Sequence, residues 1–235
     1  MLVLAIETAT RDGSVALVRD GRVQADASGD GRVVHAARLP GDALALLPPL
    51  GLTLEAVDLF AVCLGPGGFT GLRVGIASAQ GLAFATGRPI VGVSALDALA
   101  VAALPPDGPD AVAGVWMDAA RGEVFAARYR PDATHVFGVA AIDDPVSAPP
   151  ADVAAAWAAE AGPGVAVWIG EGVQRYRGLV PPAATVVPTP RLAPFIALLG
   201  GLAAGAGQAG RPHALRPLYV RPADAELARA RRGGR

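Results

Sequence analysis

The stretch from Asp58 to Gly87 constrains this chain more than any other. It opens with DLFAVCL (58–64), an apolar run of strand length that suits a central strand covered on both faces. A glycine-rich turn follows at 65–68, and then a helical pattern from about Thr70 to Thr86 that stops at Gly87-Arg88-Pro89. Gly71, Gly75, Ala79, Ala83 and Gly87 recur every four residues, and only Arg73, Ser78 and Gln80 are clearly polar in the helix interior. A helix apolar nearly all round must be covered nearly all round. One side can face its own sheet. The small-residue stripe would let another helix approach closely, and that helix is either part of the same domain or part of a second chain.

The same segment limits the chemistry. GPGGFTGLRVG (65–75) sits where free N–H groups at a helix start attract anions. Yet Gly71 is followed by Leu72-Arg73 where a P-loop needs Lys-Ser/Thr, and Thr70 stands at the third glycine position of the dinucleotide fingerprint. A tight strand-to-helix turn with Thr70 as N-cap fits the residues equally well. The 20 cationic residues are all Arg, so no lysine can form a Schiff base or serve a P-loop. Cys63 is the one cysteine, which excludes an internal disulfide framework and a cysteine-based zinc site.

Hydrophobic residues make up 52% of the 235, enough for a sizeable core, and a net charge of −1 gives no bulk attraction for nucleic acid. MLVLAIE has no basic flank and meets Glu7 at once, unlike a signal peptide. The Ala-rich run 193–209 is broken by glycines and makes a poor membrane span. A soluble cytoplasmic protein without membrane association is therefore expected.

Coarse periodicity predicts strands at 2–6, 14–18 and 22–26, a helix from His35 to Leu50, then strand 58–64, helix 70–86, strand 90–93 and helix 95–104. A linker at 105–109 precedes a similar order: strands 111–117, 123–130 and 134–142, helix 151–161, strand 165–169, short helix 173–178, strand 184–187 and helix 192–206. Twice, three meandering strands lead to a helix, a strand and a helix. This predicts an α/β fold of two lobes, 1–104 and 110–235, each a mixed sheet with helices, with a cleft between them. Whether helix 192–206 packs back on the first lobe is left open.

Candidate chemical residues are few. Glu7, Thr8 and Thr10 end the first strand, where they could hold a magnesium-bound phosphate or simply cap a turn. Asp118, near Arg121 and Glu123, reads as an ion-paired turn or, more sharply, as a catalytic carboxylate. Gly170 and Gly172 flank Glu171 in a second candidate turn for a nucleotide cleft. His35, His135 and His213 have no metal-ligand partner at helical spacing. No catalytic residue or metal site is assigned.

The stretches LAIETATRDGSVAL, GPGGFTGLRVGIASAQGLA, DAARGEVFAARY and LYVRPADAE resemble the TsaB (YeaZ) family. The resemblance implies an actin-like, ribonuclease-H-like (ASKHA) fold of duplicated βββαβα lobes. It implies a non-catalytic subunit of the machinery that installs threonylcarbamoyl on N6 of adenosine 37 of tRNA. The expected partners are a TsaD-like catalytic subunit bound through helices of the first lobe, a TsaE-like ATPase, and tRNA reached through the complex. A homodimer is expected when the chain is alone. No cofactor is expected in the isolated subunit, with ATP and a metal on the partner subunits. TsaD carries a His-x-x-x-His metal motif, whereas Leu39 stands four residues after His35 here.

The resemblance thus places the partner interface on Gly71, Leu72, Gly75, Ile76, Ala79 and Ala83, with His35 and Leu39 on the preceding helix. Glu7, Thr8, Thr10, Asp118, Gly170 and Gly172 become a vestigial nucleotide cleft. Gly75→Leu or Ala79→Arg is expected to abolish association and leave the monomer folded. The alternatives are an active nucleotide-dependent ATPase or kinase of the same superfold and, with less support, an M22-type peptidase.

Overall fold

The computed structural model describes residues 1–29, 35–105, 111–160 and 164–221. The first strand, β1 (Leu2–Glu7), is buried from end to end. Leu4 and Ile6 join one apolar cluster while Val3 and Ala5 join another, the period-two signature of a strand covered on both faces. β2 (Ser14–Arg19) and β3 (Arg22–Ser28) follow antiparallel. They are joined at Asp20-Gly21, both at positive φ, the backbone a tight hairpin requires.

Helix α1 (His35–Ala45) leads to β4 (Leu59–Gly65), helix α2 (Phe69–Thr86), β5 (Ile90–Ser94) and helix α3 (Ala95–Ala103). β4 and β5 add parallel beside β1, giving the order β3-β2-β1-β4-β5. The second half repeats this plan. β6 (Val112–Asp118), β7 (Val124–Pro131) and β8 (Val139–Ala141) meander antiparallel, and β9 (Val146–Ala148) also pairs with β7. After helix α4 (Pro150–Ala159) come β10 (Val165–Ile169), helix α5 (Glu171–Arg175), β11 (Thr185–Val186) and helix α6 (Ala193–Gly205). The order β8-β7-β6-β10-β11 matches the first sheet position by position. The α/β class and the two-lobed actin-like fold are thereby established.

The elements stack in layers. α1 and α2 cover the outer face of the first sheet, with Leu39, Ile76, Ala79 and Ala83 against Leu4, Ile6, Phe60 and Val62. On the outer face of the second sheet, Trp116 and Trp168 pack with Val153 of α4 and Val173 of α5. Between the sheets lie α3 and α6. Leu96, Leu99, Ile196 and Leu199 share one cluster with Val3, Ala61 and Cys63 of the first sheet and with Val115 and Ile169 of the second. α6 packs on β1, β2, β4 and β5, although it follows the second sheet in the chain. α3, from the first half, reaches β6 and β10. Ser14 Oγ on β2 accepts a hydrogen bond from the Ala193 N–H at 3.1 Å, capping the start of α6 from the opposite half.

The helix expected to run from His35 to Leu50 ends at Ala45, because Pro48 and Pro49 lack the N–H groups to continue it and form a short 3-10 turn with Leu50. The expected strand 134–142 shrinks to β8. Its first part is a turn in which Asp132 accepts from the Thr134 N–H at 2.9 Å, and Gly138 donates to the His135 carbonyl. β9 is an additional strand. The short helix expected at 173–178 is α5 followed by a 3-10 turn at Arg177–Leu179. The expected linker and the Arg-rich tail fall largely or wholly outside the described residues. No described helix is long and apolar enough to cross a membrane.

α2 shows how sequence becomes packing. Leu72, Gly75, Ile76, Ala79 and Ala83 are its buried residues, and all of them face its own chain. A Cβ added at Gly75 would overlap Oγ1 of Thr8 and come within 2.9 Å of its Cγ2. Gly81, on the opposite side, has open space around it. Gly75→Ala is therefore expected to destabilise the fold by about 1–3 kcal/mol through overpacking. Gly81→Ala is expected to stabilise it by roughly 0.5–1 kcal/mol through helix propensity. Urea unfolding of both variants checks the pair, and equal effects would refute the assigned faces. The three tryptophans all lie in one cluster on the second sheet. Because α3 and α6 interlock the halves, tryptophan fluorescence and far-UV circular dichroism are expected to report one coincident transition.

Candidate functional site

Two adjoining clefts open where β1 and β6 end side by side. The narrower, of about 470 Å³, is lined by Glu7, Thr10, Asp12 and Ser14 from the first half and by Asp118, Glu171 and Gln174 from the second, with Arg11 and Arg191 also in its wall. The wider, of about 710 Å³, lies between the 66–71 loop, Asp118–Ala120 and the segment Leu218–Arg221. The fold thus brings together Glu7, Thr10, Asp118 and Glu171 from the two halves of the sequence.

Glu7 and Asp118 both accept hydrogen bonds from within the chain. Glu7 is fully buried. One oxygen accepts the Thr10 N–H at 2.7 Å, and the other accepts the Thr10 and Ser14 hydroxyls at 2.9 Å each. Ser14 in turn caps α6, so this carboxylate supports the interlock of the halves. Thr8 is 1% exposed with its side chain against Gly75, and its Oγ1 has no hydrogen-bond partner. Asp118 accepts the Ala120 N–H at 3.0 Å and Arg175 Nη1 at 2.6 Å. This pairing was not legible in sequence, where Arg121 stands nearer. Ala120 and Arg121 hold left-handed φ values of 56° and 54°, so the hairpin tip beside the cleft carries backbone strain.

Gly170, at φ 114°, has a steric role. A Cβ there would overlap the Trp116 carbonyl oxygen, and one at Gly172 would come within 2.9 Å of it. These glycines let the β10–α5 turn close onto β6. Among the described residues, no three His, Cys, Asp or Glu side chains converge into a group that could hold a metal.

The expected interface residues divide sharply. Gly75, Ile76, Ala79, Ala83, Leu72 and Leu39 are buried within the chain, and Gly71 is half-buried. The side chain of His35 lies outside the described residues. The small-residue stripe brings α2 close to its own sheet, so the expectation that Gly75→Leu leaves a folded monomer is corrected by the Thr8 contact. The exposed side of α2 carries Thr70, Arg73, Ala77, Gly81, Phe84 and Ala85. Phe84 is 82% exposed, far more than any other large apolar side chain among the described residues. Its sequence signal was the helix period: Phe84 falls on the face opposite the stripe.

Sequence reasoning also missed Glu171 as a titrating group. Burial raises its pKa, and the negative charges of Glu7, Asp118 and Asp12 raise it further, while a backbone hydrogen bond opposes them. A carboxyl with a raised folded-state pKa contributes stability that is present below the ordinary Glu range, about 4.3, and lost as pH rises through the folded value. Glu171→Gln is therefore expected to raise Tm at pH 7 relative to the parent, with the gain vanishing near pH 4. A gain that is independent of pH would contradict the charge-based origin.

Comparison with known proteins gives a consistent picture. The family model described as TsaD, tRNA N6-adenosine threonylcarbamoyltransferase, matches residues 33–156. An uncharacterized protein of Mycobacterium tuberculosis is 34% identical over 233 residues, covering 95% of this chain and 93% of that protein. The tRNA threonylcarbamoyladenosine biosynthesis protein TsaB of Escherichia coli is 40% identical over 132 residues, 56% of each chain. YeaZ from Pseudomonas aeruginosa superposes with a TM-score of 0.75 at 30% identity, covering 93% of this chain and 99% of that one.

Proposed function

The chain belongs to the TsaB/YeaZ family of tRNA threonylcarbamoyladenosine biosynthesis proteins, and on that premise we propose that it is a non-catalytic scaffold. In this reading it binds a TsaD-type catalytic subunit in the complex that installs threonylcarbamoyl on N6 of adenosine 37 of tRNA. The ATP site and the metal belong to the partner subunits, including a TsaE-type ATPase, and tRNA is reached through the assembled complex.

The observation that carries the proposal is the outer face of α2. Ala77, Gly81 and Ala85 leave a low surface beside the protruding Phe84. A partner helix seated there would gain close backbone approach from the small residues and an aromatic anchor from Phe84. Burial of the phenyl ring contributes at roughly 25 cal/mol per Å². When the partner is absent, the same face serves a symmetric homodimer. The cleft supports the scaffold reading from the other side, since Glu7 and Asp118 accept internal hydrogen bonds rather than stand free as bases.

Phe84→Asp is expected to weaken association with the TsaD-type subunit by about 2 kcal/mol or more, roughly thirtyfold in Kd, with Tm unchanged. Titration calorimetry of the two purified subunits measures this, and parental affinity in the folded variant would rule out the α2 face. Threonylcarbamoyl transfer to tRNA by the reconstituted complex should fall in parallel. For the rival reading, an ATPase or kinase, the isolated chain is titrated with ATP and magnesium. Micromolar binding with turnover would replace the scaffold by an enzyme.

A further inference from the structure

The segment after α6 is held to the first half at successive points. Gly210 exchanges two backbone hydrogen bonds with Ile90 of β5, at 3.0 and 3.2 Å. Gln80 Nε2 on α2 donates to the Pro212 carbonyl at 2.6 Å. The Leu218 N–H donates to the Leu64 carbonyl near the end of β4 at 2.8 Å. Tyr219 stacks on Phe69 with ring centroids 4.7 Å apart, and its hydroxyl accepts from Arg73 Nε at 2.9 Å. The Arg73 guanidinium lies 3.9 Å over the same Phe69 ring.

Two residues further on the strap changes sides. Arg221 Nη1 donates to Glu123 Oε2 at 3.0 Å, at the β6–β7 hairpin of the second sheet, and Ser147 holds the same oxygen at 2.7 Å. The pair is partly shielded, with side chains 23% and 31% exposed. Leu218 to Arg221 thus cross the mouth of the wider cleft from the α2 loop to the hairpin. We propose that residues 210–221 form a latch that sets the aperture of the cleft and couples it to the outer face of α2.

The coupling follows from geometry. Arg73 is exposed on the same side of α2 as Ala77 and Phe84, and it also anchors Tyr219. Two residues span at most about 7 Å, so the tether from Tyr219 to Arg221 has little slack to absorb a shift. A contact that redirects Arg73 therefore loosens the grip on Glu123. A partner on α2 would act through this route. The latch itself is a property of the single chain and is tested on it, so it stands or falls separately from the scaffold reading.

The test places spin labels at Thr70→Cys and Ala120→Cys, exposed positions on opposite walls of the wider cleft. Cys63 is buried and its thiol pKa is raised, chiefly by burial, so labelling goes to the introduced cysteines. Electron–electron distance measurement on the full chain is expected to show a longer, broader distribution in Arg221→Ala and in Glu123→Gln. The same shift is expected in Tyr219→Ala and in Arg73→Ala, although Arg73 touches neither member of the ion pair. Tryptophan fluorescence confirms that each variant is folded. Unchanged distances in both Arg221→Ala and Glu123→Gln overturn the latch. A shift in those two with none in Arg73→Ala and Tyr219→Ala overturns the coupling to α2.

Discussion

The rest of the structure depends on the exchange of helices between the two sheets. α3 is built in the first half and packs on the second sheet, while α6 follows the second sheet and packs on the first. Each sheet has its inner face covered partly by a helix from the other half, so neither half buries its apolar surface alone. The resulting cluster is continuous from Val3 and Ala61 to Val115 and Ile169. Polar contacts reinforce it at its edges. The Tyr129 hydroxyl donates to Asp97 at 2.8 Å across the halves, and the Asp97 carboxyl is raised by burial against that bond. Glu7 acts through Ser14 to cap α6.

This arrangement also accounts for the carboxylates that line the cleft between the sheets. The strands β1 and β6 end at Glu7 and Asp118, and both residues line the narrower cleft. The fold employs the first to hold α6 and pairs the second with Arg175. A carboxylate with its oxygens occupied by internal donors is a poor general base. Glu171 differs, since burial and like charges disfavour its ionised form.

Much of the architecture was legible in the residues. The unbroken apolar runs LVLAI and LFAVCL announced buried strands, the second covered on both faces, and the repeated element order announced two lobes. The β9 strand was not legible, because VSA is short and flanked by prolines, and its pairing with β7 comes from the sheet beside it. The stripe Gly71, Gly75, Ala79 and Ala83 was legible as a surface of close approach, but its target was not. Periodicity states that a helix has a small-residue side. Only the position of Thr8, brought beside Gly75 by the parallel pairing of β1 and β4, states what lies against it.

The site divides in the same way. The Asp118–Arg175 and Glu123–Arg221 pairs join residues far apart in the chain, and no local pattern selects those arginines over the nearer Arg121. By itself the sequence determined the strand and helix periods, the absence of lysine chemistry, the turns at Asp20-Gly21 and at 65–68, and the membership signals carried by the glycine segment. These are local properties, set by backbone sterics and side-chain spacing. The tertiary structure alone decided which face of α2 is exposed, which donors the cleft carboxylates accept, and where the C-terminal strap crosses. Each of these depends on groups distant in sequence competing for the same contact, and that competition is settled only when the two halves are packed together.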